Sequence, residues 1–370
     1  MATKSLRTEP QKRLHSLDAL RGFDMFWITG GGALVIALSQ IFGPNWLETQ
    51  MHHVSWEGFR FYDLIFPLFM FISGVAIPLS VESKIENSVP KHKLFQKALR
   101  RGVILIILGI LYNGTFRNGF ENGRIASVLG QIGIAYFFAA TIVIYTKSVR
   151  SRLIWFGSIL AGIGILQLLI PVPGIGAGVL TPEGCINGYI DRMLLPGRLN
   201  DGIFDPEGIL CSISATGITL MGTFAGNILR SDKSTGRKKI GYLLAAGVAA
   251  ILLALALSTF YPIIKKCWTS TFNLLTGGIS FILLAVFYLI IDHWGYKKWA
   301  FFFTVIGMNS IFIYLFSRMG NLQQIGEFFV GWLAKMMSES GGNLLLVIGR
   351  IAVGWLILYY MYKKKIFLRI

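Results

Sequence analysis

Apolar residues run along this chain in long blocks, separated by short polar and mostly basic interruptions. Ten blocks approach the ~20 apolar residues that a ~30 Å hydrocarbon core asks of a helix. They are 19–42, 61–82, 101–114, 125–146, 152–172, 207–229, 240–262, 271–291, 299–318 and 343–362. The block at 101–114 is short and needs tilt or help from its flanks. Residues 323–337 are apolar along one side and too short to span comfortably, so they predict an interfacial or re-entrant helix, with an eleventh span as the alternative. The first block follows a basic segment, but it carries Arg21 and Asp24 and does not read as a cleaved signal peptide. With no internal repeat and no low-complexity linker, 1–370 is expected to form one domain, an all-α polytopic membrane protein.

Composition agrees with this pattern. The chain is 54% apolar and 14% charged, with a mean hydropathy of +0.61, where a soluble domain carries ~25% charged residues. An ordinary soluble enzyme, a disordered chain and a disulfide-stapled secreted domain are excluded. The net charge of +17 does not point to nucleic acid, because the cations cluster between apolar blocks. With the N-terminus inside, the inside segments hold 24 of the 35 Lys and Arg residues and the outside segments 9. This bias predicts a multi-pass protein with both termini in the cytoplasm. Two outside segments then stand out, 43–60 with His52, His53 and Glu57, and 173–206 with Asp191, Asp201 and Asp205. The three cysteines, Cys185, Cys211 and Cys267, show no metal-ligand spacing. A Cys185–Cys211 bridge requires both to face an oxidising compartment, and Cys211 is expected to enter a helix. No metal is expected, and there is no P-loop or H-E-x-x-H pattern.

Five stretches carry candidate chemistry. Asp18 and Arg21 share a helix face at a membrane entry. They form either a local ion pair or, with Arg13 and Arg101 at the same level, an anion site suited to phosphates. Thr29-Gly30-Gly31-Gly32 permits either close helix packing or a break lining a cavity. His53 at the outer mouth precedes Asp63 at the start of a span that Pro67 should kink. A histidine suits proton transfer or acyl carriage, and an acid suits its orientation. His52 reads as a surface residue. Asp205, Pro206 and Glu207 read as a capped helix start, and with Asp191 they could also receive the hydroxyls and amine of a sugar. Asn309 in Gly307-Met308-Asn309-Ser310 lies mid-span, where its amide either bonds neighbouring helices or polarises a ligand carbonyl.

Taken in order, these strings resemble the heparan-alpha-glucosaminide N-acetyltransferase family of transmembrane acyltransferases over nearly the whole chain. The matching stretches are Asp18 to Gly22, Gly30 to Gly32, and His53-x-Ser55-Trp56 onward to Asp63 and Phe66-Pro67. They continue with Arg124-Ile125 to Gly133, Pro171 to Gly174, Gly188 to Arg192, Asp205 to Leu210, and Gly307 to Ser310. The resemblance implies a transmembrane acyltransferase fold and transfer of an acetyl group from cytosolic acetyl-CoA to the amine of a terminal glucosamine across the membrane. It assigns the active histidine to His53, the acid to Asp63 and CoA-facing cations to Arg13, Arg21 and Arg101, beside Asp18 and Asn309. The acceptor amino sugar would lie at Asp191, Asp205 and Glu207. Covalent carriage on His53 and direct transfer both remain open.

The chain departs from the lysosomal relatives at Ile28, where they have asparagine, and at Gln131, where they have arginine. It opens without their large lumenal portion, so a bacterial inner-membrane form is expected. Membrane lipid is an expected partner, nucleic acid is not, and a homodimer is compatible with the sequence. The rival readings are an amino-sugar transporter, which fits on fold grounds, and an O-acetyltransferase of surface glycans, which expects a histidine near the end of the first helix. The orientation predicts that, in a cysteine-free background on sealed cells, an impermeant maleimide labels His52→Cys and spares Lys93→Cys. Labelling of Lys93→Cys alone would reverse the topology.

Overall fold

The computed structural model describes residues 14–115, 119, 122–232 and 234–368. Among these no strand forms, and only isolated bridges link loops. The first apolar block becomes α1 (His15–Phe26) and α2 (Gly32–Phe42), joined through a π-helical turn at Trp27–Gly31. A short α3 (Trp46–Gln50) follows. Then come α4 (Phe61–Ile77), α5 (Ser83–Glu86), α6 (Lys91–Tyr112), α7 (Val128–Tyr145) and α8 (Val149–Leu169). The long loop after α8 contributes α9 (Ile186–Leu194). The second half comprises α10 (Ile209–Arg230), α11 (Gly236–Leu257), α12 (Ser270–Phe287), α13 (Phe301–Met308), α14 (Ser310–Met319), α15 (Leu322–Ala334) and α16 (Glu339–Lys363).

Among the described residues eight helices are long and apolar enough to cross a membrane, or nine if α13 and α14, bent by 75° at Asn309, count as one span. The 22 residues of α6 are long enough for a tenth, but basic residues crowd its first half. Block 101–114 is the apolar end of α6, whose opening turns carry Lys91, Lys93, Lys97, Arg100 and Arg101. The 323–337 stretch forms α15, whose thirteen residues rise about 20 Å, short of the ~30 Å core. It lies against α16, with Gly326 facing the Arg350 backbone and Val330 facing Gly349.

Burial divides the spans sharply. Within their most apolar stretches α4 and α10 are 78% and 83% buried, whereas α8 is 17% and α11 28% buried. So α4 and α10 form the centre, and α8 and α11 sit at the rim. The central pair meets backbone to backbone. A Cβ on Gly74 would strike the carbonyl of Thr219, and one on Gly222 the carbonyl of Phe71. Gly22 and Gly307 bring α1 and α13 together in the same way. Without water inside a bilayer, such close approach supplies the dispersion contacts that hold spans together.

One end of the bundle is basic and tied by ion pairs. Arg152 and Arg230 both reach Glu82, and Arg230 also reaches Glu86. Asp292 accepts the His15 and Ser16 amides at 3.2 and 3.0 Å, closing the start of α1. Pro67 lies within α4, which continues past it to Ile77. Gly222→Leu should lower stability in detergent by about 1–3 kcal/mol through overpacking. Gly157→Leu on exposed α8, where an added Cβ meets nothing within 4 Å, should leave the unfolding midpoint unchanged in the same thermal scan.

Candidate active site

At the end opposite the basic one, four elements converge on Asp63. It is the third residue of α4, and its Oδ2 accepts the Arg60 amide at 3.1 Å, which closes that helix start. The same oxygen accepts the Val54 amide at 3.3 Å. Oδ1 lies 2.7 Å from His53 Nδ1 and 3.2 Å from Lys265 Nζ. The Asp63 side chain has 0% exposure, while His53 is 51% exposed. Tyr62 packs its ring 4.9 Å from the imidazole, and Arg60 donates to the His53 carbonyl at 3.2 Å.

This geometry assigns a tautomer. Two acceptors at 2.7 Å would repel, so Nδ1 carries the proton and donates it to Asp63. A neutral ring in this tautomer carries its lone pair on Nε2. Lys265, with its Nζ 3.0 Å from the same Nδ1, offsets the carboxylate charge. Burial pushes the Lys265 ammonium below its ordinary value, and Asp63 acts against that shift.

Lys265 is absent from the sequence-derived site. Its loop is set by pairing with the first outer loop, where the Gly58 amide donates to the Ile263 carbonyl at 2.9 Å. The one available signal was a Lys265-Lys266 pair on a side that is otherwise poor in cations.

Beside this cluster, Arg124 grips Asp205 through both carboxylate oxygens, at 2.8 and 2.6 Å, and also pairs with Glu207. Asp205 is fully buried and takes the Asn200 and Glu207 amides as well, each at 3.0 Å. Burial works against the Arg124 charge, yet the two acids hold it firmly protonated. Burial also raises the Glu207 carboxyl, with Arg124 pulling the other way. Asp191, fully buried, accepts the Ile209 amide at 3.0 Å and the Asp205 amide at 3.3 Å. The oxygens of Asp191 and Asp205 are therefore committed to protein donors that order the start of α10. In the sequence Arg124 stands only at the head of the Arg124-to-Gly133 string. Its partners lie 81 and 83 residues away, beyond any local pattern.

The three thiols are free and buried. Cys185 neighbours Cys267, while Cys211 accepts from Asn187 at 3.3 Å, so the Cys185–Cys211 bridge does not form. Gln131, at one of the departures, donates to the Cys211 carbonyl at 3.1 Å.

At the basic end a cavity of about 810 Å³ is lined by Asp18, Arg21, Arg101, Arg230, Lys239 and Ser310, among others. Asp18 and Arg21 pair at 3.7 Å. Arg101 stacks over Tyr136 at 4.1 Å, and its Nε is buried without a hydrogen-bond partner. Arg13 lies outside the described residues. Asn309 turns away from this chamber. Its amide donates to the Ile366 carbonyl and accepts the Leu368 amide, both at 3.0 Å, so it clasps the C-terminal segment while Gly307, Met308 and Ser310 face the cavity. Phe69 and Ile311 line both this chamber and a pinch of about 20 Å³ bounded also by Met25, Ile28, Phe66 and Tyr314. Tyr314 stacks on Tyr112 at 4.6 Å and lies within electrostatic reach of Glu207. The cationic chamber and this small apolar cavity thus share a wall, and Phe66 of that cavity lies one turn of α4 beyond Asp63.

A model of a domain of unknown function, DUF5009, matches residues 13–166. The heparan-alpha-glucosaminide N-acetyltransferase of Homo sapiens is 29% identical over 412 aligned positions, covering 97% of this chain and 60% of that protein. The Mus musculus protein is 28% identical over 418 positions, covering 98% and 62%. Over nearly its whole length the chain is similar to proteins of that name. It spans about three-fifths of the length of these relatives.

Burial pushes Asp191 up to about 6 from an ordinary 3.8, against two backbone amides that favour its charge. The folded protein therefore keeps a proton that the unfolded chain releases in that window. Stability from this group is complete below about pH 4 and is lost as pH rises through 6. Unfolding midpoints from pH 4 to 7 should fall more for the wild type than for Asp191→Asn. Parallel curves would remove Asp191 as the source.

Proposed function

We propose that this protein is a transmembrane N-acetyltransferase that moves the acetyl group of cytosolic acetyl-CoA to the amine of a glucosamine-type sugar on the periplasmic side of a bacterial inner membrane. The observation that carries the reading is the pairing of His53 with buried Asp63 at one end of the bundle, with a cation-lined chamber at the other. Homology to proteins of that name supports it. The excess of cations at the chamber end supports a cytoplasmic position for both termini.

In this reading the CoA phosphates rest near Arg13, Arg21 and Arg101, where arginine forks suit them. The pantetheine arm passes Phe69 and Ile311, and the thioester reaches His53. Glu207, beside Arg124, faces the amino sugar, and Asp191 and Asp205 fix the wall behind it. The amine lone pair attacks the thioester carbonyl carbon. His53 Nε2 removes a proton from that nitrogen as the C–N bond forms. The C–S bond then breaks, and the CoA thiolate leaves toward the chamber. Direct transfer is favoured because a deprotonated amine is nucleophilic without a covalent intermediate. No metal takes part in this route.

His53→Ala should cost turnover about 10²–10⁴-fold, while acetyl-CoA still raises the thermal midpoint of the purified protein. In Arg101→Ala that stabilisation should fade. No stabilisation of the wild type at any acetyl-CoA concentration, with labelled amino sugar crossing unmodified, would replace the enzyme by a transporter. Acetylated protein trapped without acceptor would replace direct transfer by covalent carriage.

A further inference from the structure

A second large cavity lies at the rim, far from His53; at the basic end its Asn227, Ile228 and Ser231 alternate along the chain with Leu229, Arg230 and Asp232 of the chamber, and no residue lines both. It occupies about 590 Å³ between α8, α10, α11 and α12. Its floor is Met221 and Phe281, each only 3% exposed, and Phe156 and Phe224 meet edge to face at 5.9 Å beside them. The cavity exists because α11 presents Ala246, Ala249 and Ala250 there instead of larger side chains. Leu153 on α8 and Leu253 on α11, about half exposed, form the lips. An apolar hollow reaching the buried core from a lipid-facing surface calls for a filling, because a void forfeits dispersion contacts.

The cleft has a direction. Its polar groups, Ser231, Ser234, Asn227 and Tyr242, gather at the basic end of the bundle. From Tyr242 to Leu253 along α11 the wall rises about 17 Å, close to the ~15 Å depth of one leaflet's hydrocarbon. Both flanking helices begin at this mouth, α8 at Val149 and α11 at Gly236, so two positive dipole ends face it. Lys147 and Arg150 at one start, and Arg237 and Lys238 at the other, are exposed, against the exposed Asp232 of the joining loop. A single chain-sized apolar slot beneath four cations matches one amphiphile with an anionic head.

We propose that this cleft binds one phospholipid with an anionic headgroup, with an acyl chain between α8 and α11 and its phosphate over Ser231 and Ser234. The site is separate from the acetyl-transfer path and does not rest on that function. The test uses the purified full chain in detergent, titrated with phosphatidylglycerol or with phosphatidylcholine of the same acyl chains. It is read by lipid retained in native mass spectrometry and by the thermal midpoint. One phosphatidylglycerol per chain should be retained at least tenfold more tightly than phosphatidylcholine, with a matching rise in midpoint.

Ala250→Trp, which fills the slot, should abolish retention of both lipids. Reversing the four cations, Lys147→Glu, Arg150→Glu, Arg237→Glu and Lys238→Glu, should erase the preference while leaving phosphatidylcholine binding as it was. This surface variant keeps the test decisive if Ala250→Trp fails to fold. Equal retention of the two lipids by the wild type would overturn the proposal. So would phosphatidylglycerol retention undiminished in a folded Ala250→Trp protein, or exclusion of lipid by a second copy of the chain seated in the cleft.

Discussion

A carboxylate cut off from water must collect donors, and much of the outer end is arranged around Asp63 doing so. Two backbone amides, an imidazole and an ammonium surround it, supplied by the first outer loop, the start of α4 and the loop before α12. An ion of this kind is costly to bury alone, and breaking a buried pair typically costs about 3–5 kcal/mol. The same bonds that neutralise Asp63 therefore fix the His53 ring and lock two loops separated by some two hundred residues of chain. Helix capping, loop docking and tautomer choice are one constraint here.

The second acidic cluster obeys the same rule with a different outcome. Asp205 answers to Arg124, and Asp191 answers to the amides at the start of α10. Both carboxylates are consumed by structure, and Glu207 is left as the acid with a more divided environment. The outer loop 173–206 is in this way an ordered wall. Trp56 donates to the Leu180 carbonyl at 2.6 Å, and Arg192 donates to the Ile203 carbonyl at 2.6 Å, which tie it above and below.

Hydropathy made the spans legible, because in lipid every backbone amide must bond within its own segment and the segments are therefore long. It gave α6 too late a start, because basic residues share that helix with its apolar half, and it did not reveal the 75° break at Asn309. His53 and Asp63 were legible because a helix-start acid ten residues after a histidine is a local pattern. Lys265 and Arg124 were not, since each meets its partners only after remote segments pack. The sequence marks Asn309 as a buried amide needing partners, and these come from the C-terminal segment, whose position no mid-span motif encodes.

The neck shared by Phe69 and Ile311 has a consequence for the membrane as an insulator. A hydrogen-bonded file of water would let protons run from one face to the other and dissipate the ion gradient. The pinch beneath Tyr314 is lined by Met25, Ile28, Phe66, Val128, Leu129 and Ile132, none of which can hold such a file in place. An apolar layer of this kind keeps the two faces of the membrane electrically apart across the bundle.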